Sequence, residues 1–109
     1  MAKKIAGWSG YVIGKIDKKQ LPAKTIGNAN TAKKTSGGVS ILRRASESVF
    51  YGQGEWDKVP YTVEVMVHAV GDDLDECSRI ASEKSSKILA DEIDNTITLI
   101  RQIYANRFE

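Results

Sequence analysis

Hydrophobic and polar residues alternate most regularly between residues 59 and 70. One side of this segment is wholly apolar and consists of Tyr61, Val63, Val65, Val67 and Ala69. The other side is mixed and includes Glu64 and His68. Alternation with a period of two predicts a β-strand that places its apolar side on a core.

Two other segments, residues 4–16 and 39–51, are rich in β-branched and aromatic residues. We interpret both as strands, although the second also fits the apolar spacing of a helix. The turn-forming segment Gly52–Gly54 follows the second strand. The pattern therefore predicts an antiparallel hairpin between residues 45–56 and the strand at 59–70.

A helix is predicted over about residues 73–93. Asp72 or Asp73 can cap its free N–H groups, and Asp75 and Glu76 suit the positive end of the helix dipole. Its apolar stripe, which would lie on the sheet, is Leu74, Cys77, Ala81 and Ile88.

The segment at residues 96–106 has two interpretations. Its Thr-Ile-Thr composition and a shift in the apolar stripe favour a final strand with Ile97, Leu99 and Ile103 on one side. The absence of Gly and Pro favours a continued helix instead. A continued helix would carry a second stripe suited to a dimer, namely Ile93, Ile97, Ile100 and Tyr104.

These elements predict an α+β fold with a small antiparallel sheet of about four strands and one main helix packed on one face. The chain has 109 residues, so residues 1–109 form a single domain with one core. Residues 22–38 contain one large apolar residue, Ile26, among many Gly, Asn, Thr and Lys residues. We expect this segment to be a mobile basic loop, because it has little apolar surface to bury.

The net charge of +2 conceals a strong asymmetry along the chain. Residues 1–50 carry ten Lys or Arg and two acids, a net +8, whereas residues 51–109 carry six bases and twelve acids, a net −6. A basic segment of this kind attracts polyanions. The two halves could instead neutralise each other within the fold or between identical subunits.

Six of the eight aromatic residues precede residue 62, in the same region as the positive charge. Aromatic platforms beside cations are typical of sites for single-stranded nucleic acid. Strands are also rich in aromatic residues, and we expect at least Phe50 and Tyr61 to belong to the core. The predicted nucleic-acid-binding residues are Trp8, Tyr11, Lys15, Lys24, Lys33, Lys34, Arg43, Arg44 and Trp56.

Candidate catalytic chemistry is sparse. One His and one Cys exclude a zinc site built from His and Cys in one chain, and the glycine-rich segments depart from phosphate-loop motifs. His68 and Glu64 lack an evident nucleophile, and the acids around Cys77 would raise the pKa of its thiol. We therefore expect no catalytic residues, no metal and no cofactor.

The localisation expected from the sequence is cytoplasmic. No apolar run approaches the roughly 20 residues that cross a bilayer, and the first residues lack the apolar core of a secretory signal. A lone cysteine gives no reason to expect an oxidising compartment.

Two hypotheses of function follow. The leading one is a non-catalytic protein that binds nucleic acid, single-stranded DNA or RNA in particular, through the basic loop and an aromatic sheet face. The alternative is a structural assembly protein, such as a homo-oligomeric ring, virion or phage tail or neck subunit. In that case the basic and acidic halves would meet across subunits, and the protein would reside in a virion.

Overall fold

In a computed structural model, residues 7–27, 37–52, 54 and 56–105 are described, and they form five strands followed by one long helix. The elements are β1 (Gly7–Ile16), β2 (Lys19–Gln20), β3 (Lys24–Gly27), β4 (Val39–Phe50), β5 (Lys58–Val70) and α1 (Leu74–Ala105).

All strands pair antiparallel in one sheet, with the order β2–β1–β5–β4. The short strand β3 pairs with β1 on the edge that also carries β2. Strands β4 and β5 form the expected hairpin, whose register is constant from Val39 opposite Ala69 to Phe50 opposite Lys58. The α+β class and the hairpin are thus confirmed.

The core lies between the sheet and α1. The apolar side of β5 is buried as predicted, with Val65, Val67 and Ala69 fully inaccessible. Three small residues of the helix, Cys77, Ala81 and Ser85, are also fully buried. Small side chains allow the helix to lie close to the sheet and cover one of its faces.

The helix begins where the sequence predicts. The Asp73 carboxylate accepts a hydrogen bond from the backbone N–H of Glu76 at 3.1 Å and caps the first turn. The prediction for Leu74 is wrong, because this side chain is 56% exposed rather than packed on the sheet.

The favoured strand after residue 95 is also wrong, because α1 continues to Ala105. Thr96 and Ile100 are both buried, four residues apart, so they extend the stripe that packs on the sheet. Tyr104 then stacks on Tyr51 with ring centroids 4.8 Å apart. Contacts with the sheet therefore outweigh the strand propensity of the Thr-Ile-Thr sequence, because strand propensity depends strongly on context.

Part of the predicted loop at 22–38 is a strand. Lys24–Gly27 is strand β3, which pairs with Ser9–Val12 of β1. Gly27 has a φ of 77°, and a Cβ atom there would lie 2.5 Å from the Trp8 carbonyl oxygen, so the close approach of the two strands requires glycine. Residues 28–36 lie outside the described residues.

The molecule is elongated. Its principal extents are 60 × 21 × 19 Å and its Cα radius of gyration is 17.2 Å. A globular chain of this length would have a radius of gyration of about 13 Å. The fold is therefore a thin two-layer unit with a large surface relative to its core.

Candidate assembly and nucleic-acid surfaces

No described element covers the sheet face opposite α1, and we call this face the open face. The cross-strand register assigns the same side of the sheet to alternate residues of β1, β4 and β5. The open face consists of Ser9, Tyr11, Ile13, Lys15, Ser40, Leu42, Arg44, Ser46, Thr62, Glu64, Met66 and His68.

An apolar row crosses the middle of the open face. Tyr11 lies opposite Met66, and Met66 lies opposite Leu42, whose side chain is 57% exposed. The Tyr11 hydroxyl donates a hydrogen bond to Glu64 at 3.4 Å. Desolvation, the Glu64 charge and this hydrogen bond all raise the pKa of Tyr11, so the phenol stays neutral.

Polar rows flank the apolar row. On one side, a groove of about 310 Å³ is lined by residues that include Lys15, Arg44 and Glu64. On the other side, the Ser40 hydroxyl and His68 Nδ1 share a hydrogen bond of 2.5 Å. The groove thus carries two cations and one carboxylate, which gives it a modest positive charge.

The open face brings together three of the nine residues predicted to bind nucleic acid. Tyr11, Lys15 and Arg44 lie there on β1 and β4. Lys33 and Lys34 lie outside the described residues, so the structure does not place them.

Three of the nine residues lie on the helix side of the sheet, and Trp8 and Lys24 are two of them. The Trp8 ring packs beside the core, and the Lys84 ammonium of α1 lies 5.4 Å from the ring centroid. Lys24 forms an ion pair with Glu92 of α1 at 3.4 Å. Both side chains therefore contact α1 rather than the open face.

Arg43 also faces the helix. Its Nε donates to the Ser85 hydroxyl at 2.8 Å, and one terminal nitrogen donates to the Ser82 hydroxyl at 3.0 Å. Ser85 is fully buried and donates in turn to the Ser82 carbonyl oxygen. Arg43 and Arg44 are adjacent in sequence but point to opposite faces, because side chains alternate along a strand.

A hydrogen bond stabilises the turn between β4 and β5, and exposed aromatic residues lie on either side of the turn. The Asp57 carboxylate accepts a hydrogen bond from the Gly54 N–H at 3.0 Å. Trp56 is 83% exposed. The core position expected for Phe50 is wrong, because this residue is 55% exposed, whereas Tyr61 is buried as expected. Trp56, the remaining residue of the predicted set, therefore lies at one end of the molecule, apart from the open face.

The sequence pattern did not predict the exposed edge of the sheet, which belongs to β4. Among the described strands, β4 pairs with β5 alone, so its other edge presents N–H and C=O groups without a strand partner. The alternation over residues 39–50 signalled the strand, but strand order is not visible in that pattern.

Large apolar side chains are exposed around the molecule, on the open face, the β4–β5 turn and the helix. The large apolar residues with at least about a third of their surface accessible are Leu42, Phe50, Trp56, Leu74, Leu99 and Ile103.

Few ion pairs join opposite charges within the described residues. Lys24 and Glu92 join the basic and acidic parts of the chain, while Arg79 pairs with Glu76 and Glu83 inside α1. The Arg79 pKa is raised by those hydrogen bonds and charges. Most of the charge asymmetry within the described residues is therefore left at the surface.

Residues 7–27, 37–52, 54 and 56–105 offer little support for metal binding or for a reactive thiol. That part of the chain holds no group of three or more His, Cys, Asp or Glu side chains placed to bind a metal ion. Burial, followed by the charges of Asp73, Asp72 and Glu76, raises the pKa of the Cys77 thiol. No described helix is both long enough and apolar enough to span a membrane.

No family model, curated protein or solved structure matches the chain in the three comparisons made with its sequence and fold.

Proposed function

We propose that the chain is a structural subunit that assembles with copies of itself, of the kind that builds rings, virions or phage tails and necks. The observation that carries this proposal is the open face, where the apolar row ending at Leu42 lies on a sheet surface that no described element covers. Exposed apolar surface that is rimmed by polar groups is typical of protein interfaces.

The shape of the molecule supports the same function. A thin unit 60 Å long and about 20 Å wide has exposed apolar groups at both ends and along its helix. Several contact surfaces on one subunit are what a closed ring or a tube requires.

The charge distribution supports contacts between copies. Asp75, Asp91 and Asp94 are exposed on α1, whereas Lys15 and Arg44 lie on the open face. Because these groups lie on opposite sides of the molecule, they can attract each other only across subunits.

The test is the mass of the protein in solution. Light scattering after gel filtration and sedimentation velocity should give a discrete particle that is a multiple of 12.0 kDa. High salt should change its size, because screening weakens contacts between opposite charges. A monomer at every protein concentration and ionic strength would overturn the proposal.

A pair of variants tests the surface that carries the proposal. Leu42→Glu places a charge in the apolar row and should shift the particle towards smaller species. Thr98→Glu is the matched control, because Thr98 is exposed on α1 and distant from the sheet. The proposal requires the first variant, and not the second, to reduce the mass.

Binding of single-stranded nucleic acid is the second candidate function, and one observation favours it. Tyr11, Lys15 and Arg44 share the open face, where Lys15 and Arg44 line one groove and the Tyr11 hydroxyl donates to Glu64 of the same groove. Fluorescence anisotropy of a labelled single-stranded oligonucleotide should then show salt-dependent, saturable binding.

Charge reversal on the open face should weaken that binding. Arg44→Glu should lower the affinity, whereas Lys87→Glu on the exposed side of α1 should not. Equal effects of the two variants would indicate nonspecific attraction to net charge. No binding at low salt would eliminate the nucleic-acid hypothesis.

A further inference from the structure

The free edge of strand β4 is long and regular. The strand has 12 residues, contains no proline and keeps one register against β5 throughout. Among the described strands, its second edge is unpaired. An edge of this kind is a template for another strand, and natural proteins usually shorten, bulge or cover it.

The sequence of β4 is self-complementary about Ala45. If β4 pairs antiparallel with β4 of a second copy around this residue, Arg43 lies opposite Glu47 of that copy, and the reverse pair forms by symmetry. Ile41 then lies opposite Val49 of the copy on the same face. Opposite charges and apolar residues placed directly across a strand pair stabilise it.

We propose that two copies of the chain join through their β4 edges, antiparallel about a twofold axis at Ala45. The result is one continuous sheet with both helices on the same face. This inference rests on the proposed function, because it names the surface through which copies assemble. The open face and the β4–β5 turn remain available for other contacts in a larger particle.

The neighbouring registers are less favourable. Centring the pair on Arg44 places two Arg44 side chains opposite each other, and like charges in that position destabilise strand pairing. Centring it on Ser46 places Arg43 opposite Val49 and loses the ion pair. A shift that pairs odd-numbered with even-numbered residues would place the two helices on opposite faces.

Arg43 has N–H donors left with which it can bind the second copy. It uses Nε and one terminal nitrogen for the Ser85 and Ser82 hydroxyls. A guanidinium has five N–H donors, so the other terminal nitrogen can bind the Glu47 carboxylate of the second copy. Glu47 is exposed and can reach it.

The position of α1 fits the same arrangement. The helix lies over β4 and β5, so twofold pairing at the β4 edge places the two helix axes roughly 10 Å apart, a normal packing distance. Leu89, Ile93 and Ile97 follow Ser85 at helical spacing on the flank towards β4, and all three are half-buried. Association would bury what remains exposed of this apolar stripe.

Charge reversal at Glu47 tests the register. Glu47→Arg turns two attractive pairs into two repulsive pairs and should weaken association about tenfold or more, measured by sedimentation equilibrium. Asp91→Arg is the control, because it adds the same charge on the exposed side of α1. Glu47→Gln should weaken association less than Glu47→Arg, since it removes the attraction without adding repulsion and keeps the Arg43 contacts with Ser82 and Ser85.

A disulfide tests the axis without relying on charge. Residues directly opposite in an antiparallel pair have Cα atoms about 4.5–5.5 Å apart, a distance that a disulfide spans. Ala45→Cys, in a background where the buried Cys77 is replaced by Ala, should form a dimer that oxidant produces and reductant dissociates. Thr98→Cys in the same background should not.

The outcomes separate this inference from the proposed function. A wild-type protein that is monomeric overturns both. A wild-type oligomer whose mass is unchanged in Glu47→Arg, with no cross-link at Ala45→Cys, retains the proposed function and overturns pairing through β4. Cross-linking at Ala45→Cys with unchanged association in Glu47→Arg overturns the ion pair, and leaves only the axis.

Discussion

At the scale of single residues, the contact between Arg43 and Ser85 couples the edge strand to the helix. The Ser85 hydroxyl is fully buried and accepts from the guanidinium at 2.8 Å. Ser85→Ala removes this acceptor from a half-buried cation. We expect the free energy of unfolding to fall by about 1.5–3 kcal/mol, the range for a hydrogen bond to a charged group.

Urea denaturation followed by circular dichroism measures this loss. Ser86→Ala is the matched control, because Ser86 is the next residue of α1 and is exposed. The control should change stability by less than about 0.5 kcal/mol. A loss in Ser85→Ala no larger than in the control would show that the contact with Arg43 does not contribute to stability, because Ser→Ala by itself raises helix propensity.

Cys77 provides a pH-dependent prediction. Burial and three nearby acids raise the thiol pKa above its ordinary value of 9.0, so the fold favours the neutral thiol. This contribution to stability is complete below pH 9.0 and is lost as the pH rises above it, because the unfolded thiol ionises first. The free energy of unfolding should therefore decline more steeply above pH 9.0 in the wild type than in Cys77→Ala.

The comparison with Cys77→Ala isolates the thiol, because the raised pKa of Tyr61 gives a decline of the same sign in both proteins. A thiol reagent provides a second measurement at neutral pH. The native protein should be unreactive and the urea-unfolded protein should react fully. Rapid labelling of the native protein would contradict the buried position of Cys77.

At the scale of elements, the last three turns of α1 provide a test of whether this segment packs on the sheet as a helix. Ile100 is fully buried whereas Leu99 is 36% exposed. Ile100→Ala should lower the free energy of unfolding by about 2–5 kcal/mol, because it leaves a cavity beneath the helix. Leu99→Ala should cost clearly less. Similar losses would mean that the segment does not pack as a helix in this orientation.

The sequence could predict the elements with clear periodicity. The alternation in β5 and the acidic start of α1 define their type, because each pattern follows from how side chains project. The end of α1 could not be predicted, because its buried stripe passes through polar Thr96, which a hydrophobic pattern does not register. Strand β3 was missed for a related reason: four residues with one apolar side chain carry no periodic signal.

At the scale of the whole molecule, the candidate site depends on which strands are neighbours. Residue type alone grouped Arg43 with Arg44 and Trp8 with Tyr11. The sheet separates each pair, because within each pair one residue faces α1 and the other the open face. The free edge of β4 results from strand order, which depends on long-range pairing rather than on any local pattern.

Assembly should also be visible in stability. If folded copies associate and unfolded copies do not, mass action links the melting temperature to protein concentration. A tenfold increase in concentration should stabilise a native dimer by about 1.4 kcal/mol per mole of dimer, and differential scanning calorimetry should record a higher melting temperature. Glu47→Arg should remove most of this dependence if copies meet through β4, while Asp91→Arg should keep it. A melting temperature independent of concentration in the wild type would indicate a protein that folds and functions as a monomer, and the exposed apolar groups would then require a different partner.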